Sequence, residues 1–348
     1  MSFSRWVTGV VCVQLFMFVA SACETDDADS NAEAIIPIDG IEWHTTIAST
    51  EETPDLADAD VRLLLPSDTA HVRGILVFSR NGVGGWEYEH NAWRSAAVKE
   101  GLALMDIDLP DRADRVTPWE SADQSAIFLD RMFPILAELS GHPELAQAPL
   151  FFFGHSAGAF WFTRLIPLVA ARTAGFIAFQ GSLTCEELFF PDTLAIPGMF
   201  VIAEYDPIWI RTDTTAIVEE GLKNGALWSL TVQPDIGHWD IEPSRPLMIS
   251  FMQTVFDRRL PQSDTDAQTE LRPFPLDDIR LGTLSHRSVY DGNEEFEGSG
   301  REIITGAALL PPQTVPDPAI SYHRLISSQF AETWLSYEAE GIETGPIL

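Results

Sequence analysis

The stretch Pro149 to Phe162, PLFFFGHSAGAFWF, sets one small polar residue, Ser156, between Gly154 and Gly158 just after an apolar run. Gly-x-Ser-x-Gly at the end of a strand is the sequence form of a nucleophile elbow, a sharp strand-to-helix turn that exposes the serine oxygen. The glycines let the backbone turn without side chains colliding with the neighbouring strand and helix. An isolated match could be an ordinary turn; the strand-like PLFFF before it and the helical AGAFWFTRL after it favour a nucleophile. A serine hydroxyl attacks poorly near neutral pH, so a base and a group that orients the base must follow. Asp206 closes PGMFVIAEYD, and His238 lies in DIGHWD beyond LWSLTV, which gives the order serine, acid, histidine. His238 would take the serine proton, and Asp206 would hold the imidazole tautomer. Read blandly, His238 is a loop histidine and Asp206 a turn cap, with Glu204, Glu186, Glu187 and Asp235 as rival acids. His155 fills the variable elbow position, where it is expected to pack. His44, His71, His90, His142, His286 and His323 lack comparable context.

Acyl chemistry also needs donors for a developing oxyanion. One is expected from the N–H of Ala157, immediately after the serine. The other is expected from the loop RNGVGGWEY, with the N–H of Val83 as first choice and Gly82 as substitute; the alternative is a plain glycine-rich turn. Four tryptophans flank these loops and are candidate substrate walls: Trp86, Trp161, Trp209 and Trp239. Any one of them could equally be core. No H-E-x-x-H or paired-cysteine spacing occurs, so neither a metal nor a cofactor is expected.

Elements that could position these residues alternate along the chain. VRLLLP, GILVFS, LALMDIDL, PLFFF, GFIAF, PGMFVIAEYD and LWSLTV read as strands. Helical patterns lie between them: NAWRSAAVKEG, a segment opened by Ser121 with Gln124 as a capping box and kinked at Pro134, the segment after Ser156, the region of Ile217 to Leu222, and a last helix bearing Leu247, Phe251 and Val255. This is an α/β chain with a mainly parallel central sheet and helices on both faces. Its active sites belong at strand C-terminal ends, where Ser156, Asp206 and His238 all fall.

From about Ile41 to Pro261 the chain resembles the α/β-hydrolase superfamily, carried by Gly154-His155-Ser156-Ala157-Gly158, the acid after VIAEYD and the histidine in GHW. Its short connections resemble the secreted branch with dienelactone hydrolase-like esterases and polyhydroxybutyrate depolymerase-like proteins. Those families often have His-Gly at the oxyanion loop, where this chain has Arg80-Asn81-Gly82. The resemblance implies an esterase with a Ser-His-Asp triad. The segment QGSLTCEELFFPDTLAI is too short for a large helical lid, so an open site and a small-molecule or polymeric ester substrate are expected.

The remaining composition limits the partners. With 52 acidic against 21 basic residues the formal net charge is −31, which repels phosphate backbones and anionic lipids, so nucleic acid is excluded. Residues 1–22 read as a signal peptide: Arg5, an apolar run too short for a comfortable span, then Ala20-Ser21-Ala22. Cys23 follows in a lipobox-like order, so lipidation at Cys23 and an extracytoplasmic, membrane-anchored location are expected, with plain secretion as the alternative. Residues 23–36 read as an acidic tether, 37–261 as the catalytic domain and 262–348 as an extension packing on it, ending in a helix within AISYHRLISSQFAETWLSYEAEG. A monomer is expected. The rival readings are a non-catalytic surface-binding protein on the same fold and, among enzymes, a serine peptidase or acyltransferase.

Overall fold

A strand buried on both faces needs apolar residues at every position rather than at alternate ones. In the computed structural model, Leu150–His155 forms such a strand inside an eight-stranded sheet: Phe152 enters one core layer, Phe151 and Phe153 the other. The structure describes residues 40–340 except 68, 81–82, 110–119, 261–270, 290–300 and 312–322. The segments read as signal peptide and tether, with Cys23, lie outside the described residues.

In chain order the sheet strands are β1 (Gly40–Ile47), β2 (Ala59–Pro66), β3 (Gly74–Ser79), β4 (Leu102–Asp108), β5 (Leu150–His155), β6 (Thr173–Phe179), β7 (Gly198–Ala203) and β8 (Trp228–Gln233). They lie side by side as β1-β2-β4-β3-β5-β6-β7-β8, with β1 and β2 antiparallel and every pairing from β4 to β8 parallel. This is the α/β-hydrolase fold. β1, absent from the sequence reading, is mostly exposed and shows no buried alternation to betray it.

The helices are α1 (Gly84–Glu89), α2 (Asn91–Glu100), α3 (Ala122–Ser140), α4 (Ala157–Leu165), α5 (Pro191–Leu194), α6 (Ile208–Lys223) and α7 (Arg245–Arg259). Side chains of α3, α4 and α6 fill one face of the sheet; those of α1, α2 and α7 fill the other. One local expectation fails at α3. Ser121 makes no side-chain cap, and Gln124 does not reach back to it but accepts the Asp55 N–H at 2.9 Å and donates to Asp55 Oδ2 at 2.6 Å. The helix runs through Pro134 to Ser140, as a continuous helical reading of this segment implies. A mid-helix proline costs about 3 kcal/mol, whereas burying Phe128, Leu129, Met132, Phe133 and Leu136 gains about 1.5–3 kcal/mol each, so packing wins.

Beyond the sheet lie β9 (Arg280–Val289), β10 (Arg301–Leu309), β11 (His323–Leu325) and α8 (Ser328–Glu340). The first three pair antiparallel in the order β10-β9-β11, and α8 starts nine residues later than the helical stretch read from Ala319. This segment covers the free edge of β8 with side chains instead of a strand. His323 Nδ1 accepts the Leu230 N–H at 3.1 Å, and Trp334 Nε1–H donates to the Leu230 carbonyl at 3.1 Å. Further along, the buried Glu338 carboxyl faces Val232 and Thr231. An exposed row of strand N–H and C=O groups invites pairing with another chain, and these contacts block it.

Candidate active site

The turn after β5 carries Ser156 in a conformation that non-glycine residues rarely adopt, with φ 50° and ψ −115°. Such backbone costs about 1–3 kcal/mol and persists only where the surroundings hold it. Here the Ser156 N–H donates to the Phe179 carbonyl at 3.0 Å, while the Ser156 carbonyl accepts the Phe160 N–H at 3.0 Å in the first turn of α4. A side chain at Gly154 would put its Cβ 2.5 Å from the Gly158 carbonyl carbon, so strand and helix approach this closely only with glycine there. Gln180 after β6 and Asp235 after β8 also have positive φ, which gathers three strained residues at the strand C-terminal ends.

Three side chains meet at this edge. His238 Nε2 is 2.9 Å from Ser156 Oγ, and His238 Nδ1 is 2.6 Å from Asp206 Oδ1. Asp206 is fully buried, and its Oδ2 accepts the Ala203 N–H at 2.6 Å, which fixes the carboxylate against the end of β7. The acid accepts a hydrogen bond from Nδ1–H, so Nε2 offers its lone pair to the serine hydroxyl; this is the orientation in which an imidazole can receive a proton from Ser156. Among the rival acids, Glu204 Oε2 accepts the Asp235 N–H at 2.8 Å, Asp235 is exposed in that turn, and Glu186 and Glu187 sit on a 3₁₀ turn of the β6–β7 connection.

The oxyanion expectations separate. Ala157 is the first residue of α4, so its N–H has no acceptor within the helix and stands beside the serine. The Val83 N–H is not turned to the serine oxygen: it donates to His155 Nδ1 at 3.1 Å, with both residues fully buried. Its acceptor is supplied from inside the fold, which removes Val83 as an oxyanion donor. Gly82 lies outside the described residues. Behind this loop, α1 is pinned to α7 by a buried Glu87–Arg245 pair at 2.8 and 2.9 Å, with Trp93 Nε1–H donating to the same carboxylate at 2.7 Å.

The tryptophans divide as well. Trp161 is 1% exposed and packs on Phe162 in the core, because its position on α4 faces the sheet; it is no part of a substrate wall. Trp239 is 62% exposed, with its ring edge-on to His238 at 5.3 Å. Trp209 is 47% exposed and tilted against Phe160 at 5.7 Å, and Trp86 is exposed on α1. The β6–β7 connection, residues 180–197, holds only the 3₁₀ turn Glu186–Phe189 and the four-residue α5, so this connection builds no large helical lid.

Three polar residues lie beneath the site: His155, buried as its elbow position implied, and two glutamines that the motif reading passed over. His155, Gln180 and Gln233 are each completely buried and hydrogen-bonded to the loop that carries His238. The signal for Gln180 and Gln233 was a glutamine directly after each of two apolar runs, GFIAFQ and LWSLTVQ, where a buried amide must find partners. Among the described residues no group of three or more His, Cys, Asp or Glu is placed to hold a metal ion.

No protein-family model matches the chain, and no curated relative is found. Among solved structures it is similar to a predicted CIB-like hydrolase from Thermoplasma acidophilum, at 13% identity over 62% of this chain and 99% of that one with a TM-score of 0.42. It is also similar to an esterase from Pyrobaculum calidifontis, at 14% over 62% and 85% with a TM-score of 0.44. FphF, a fluorophosphonate-binding serine hydrolase of Staphylococcus aureus, is similar at 12% over 62% and 98% with a TM-score of 0.43. Identity at this level carries over no residue role, so the chemistry rests on the geometry of this site alone.

Proposed function

We propose that the protein is an extracytoplasmic serine hydrolase that cleaves carboxylic esters through an acyl-enzyme intermediate. The observation that carries the reading is the hydrogen-bonded series Asp206–His238–Ser156, built on a strained strand-to-helix turn. Ser156 Oγ attacks the ester carbonyl while His238 Nε2 takes its proton. The Ala157 N–H stabilises the oxyanion. His238 then gives the proton to the departing alcohol, and water repeats the sequence in reverse on the acyl-enzyme. Asp206 stabilises the imidazolium throughout without itself becoming protonated.

The open mouth, exposed Trp209 and Trp239 and strong acidity favour an uncharged ester, either a small molecule or a polymer segment lying across the rings. The N-terminal run supports export, with Cys23 as the lipid-bearing residue. The test is labelling of the mature protein by a fluorophosphonate probe, compared with Ser156→Ala, followed by hydrolysis of p-nitrophenyl esters of increasing chain length. Labelling and hydrolysis that both vanish in Ser156→Ala support the reading. A folded wild-type protein that takes no label overturns it in favour of a binding role.

A further inference from the structure

Buried beside the nucleophile and the base is a second imidazole that the acyl chemistry above does not use. We propose that His155 is a positioning residue for that reaction, a neutral Nε2–H imidazole that locks the His238 loop to the loop after β3. The proposal rests on the serine hydrolase reading.

The proton on this ring can be placed from its partners. Nδ1 faces the Val83 N–H at 3.1 Å and must therefore carry the lone pair. The proton lies on Nε2, which donates to the His238 carbonyl at 2.7 Å and shares the contact with Gln180 Oε1 at 3.1 Å. A second proton would set two donors against each other at Val83. Burial and the neighbouring His238 act in the same direction, lowering the pKa to about 4, so the ring is neutral wherever the enzyme would work. Phe179, His238 and Trp239 enclose it, with ring centroids at 5.5, 5.0 and 5.3 Å.

His155 acts at the centre of a wider clamp. Gln180 Nε2 donates to Gln233 Oε1 at 3.2 Å and to the Gly237 carbonyl at 3.1 Å; Gln233 Nε2 donates to the Asp240 carbonyl at 3.1 Å. From the other side the Tyr205 N–H donates to the Ile236 carbonyl at 2.9 Å. The carbonyls of Ile236, Gly237, His238 and Asp240 are thus all held, although the segment is neither helix nor strand. His155 supplies the bond at the base itself, and its other nitrogen ties down the loop expected to carry oxyanion donors. A single ring next to the nucleophile therefore sets the separation of base, serine and the loop after β3. A displacement of about 1 Å at such a site costs about 100-fold in rate.

Three substitutions separate this from general packing. Gln reaches the Nε2 position and can still donate to the His238 carbonyl; Asn mimics Nδ1 and can only accept from Val83; Phe fills the space and does neither. Each variant is assayed for fluorophosphonate labelling rate, kcat and KM on p-nitrophenyl acetate, and thermal midpoint. We expect His155→Asn and His155→Phe to lose about 100-fold in kcat and in labelling rate with KM within about threefold, and His155→Gln to recover at least tenfold of that loss. Should Phe fail to fold, the Asn and Gln pair still decides. Equal rates for Asn and Gln, or a folded Phe variant within twofold of wild type, overturn the proposal while leaving the hydrolase reading intact. That reading fails separately, if the wild-type protein takes no label.

Discussion

Replacing Asp206 by Asn tests the geometry most directly, because the two oxygens of this buried carboxylate do different work. Oδ1 accepts the His238 Nδ1–H at 2.6 Å and Oδ2 the Ala203 N–H at 2.6 Å. An amide has one acceptor for these two donors. If its oxygen keeps Ala203, its NH₂ faces Nδ1, the imidazole proton moves to Nε2, and His238 becomes a donor toward Ser156 instead of a base. If its oxygen keeps His238, its NH₂ opposes a buried backbone N–H, which costs about 1–3 kcal/mol. The productive tautomer is therefore the minor one. The imidazolium formed during reaction also loses its charged partner, worth about 3–4 kcal/mol near 4–5 Å at an effective dielectric of 20. Together these amount to about 4–7 kcal/mol, or roughly 10³ to 10⁵ in kcat. The assay is kcat for p-nitrophenyl acetate against a Ser156→Ala baseline, with Glu204→Gln as the comparison, since that amide still accepts the Asp235 N–H. A folded Asp206→Asn variant that loses less than tenfold, or no more than Glu204→Gln does, would refute the assigned role of the acid.

Other outcomes follow from burial. Trp161→Ala should lower stability by about 3–5 kcal/mol in denaturant melts, as deletion of a core indole does, whereas Trp239→Ala should leave stability within about 0.5 kcal/mol and raise KM for long-chain or aromatic esters several-fold. Equal stability losses for both would contradict the division made between core and rim. Glu338 is completely buried, its pKa pushed well above 4.5 by that burial, so the native state holds a proton that the unfolded chain releases. Stability from this site is full below about pH 4.5 and declines as pH rises toward the native pKa. Glu338→Gln should remove this decline and raise the thermal midpoint between pH 6 and 8, about the range of working conditions; an unchanged pH slope would show that the carboxyl is solvated in solution.

Much of the parallel sheet could be read before any coordinates, because strands buried on both faces need continuous apolar runs and helices between them show their own period. GILVFS coincides with β3 to the residue, and NAWRSAAVKEG coincides with α2 and its cap, Gly101, which at φ 66° ends the helix. β1 escapes a sequence reading because a mostly exposed edge strand needs no apolar pattern, β9 and β10 because they show no clean alternation, and β11 because it falls inside the stretch that reads as the closing helix. The order serine, aspartate, histidine at successive strand ends is a property of sequence, since chain connectivity alone brings strand C-termini to one edge. Which acid meets His238 is not: Glu204 and Asp206 stand two residues apart, and only the turn after β7 directs one to Asp235 and the other to the imidazole. Likewise no spacing rule could assign the Val83 N–H to His155 or bury Trp161 while exposing Trp239. Hydrogen-bond direction and side-chain facing are settled by packing between residues distant in the chain, 72 positions apart in the case of Val83 and His155.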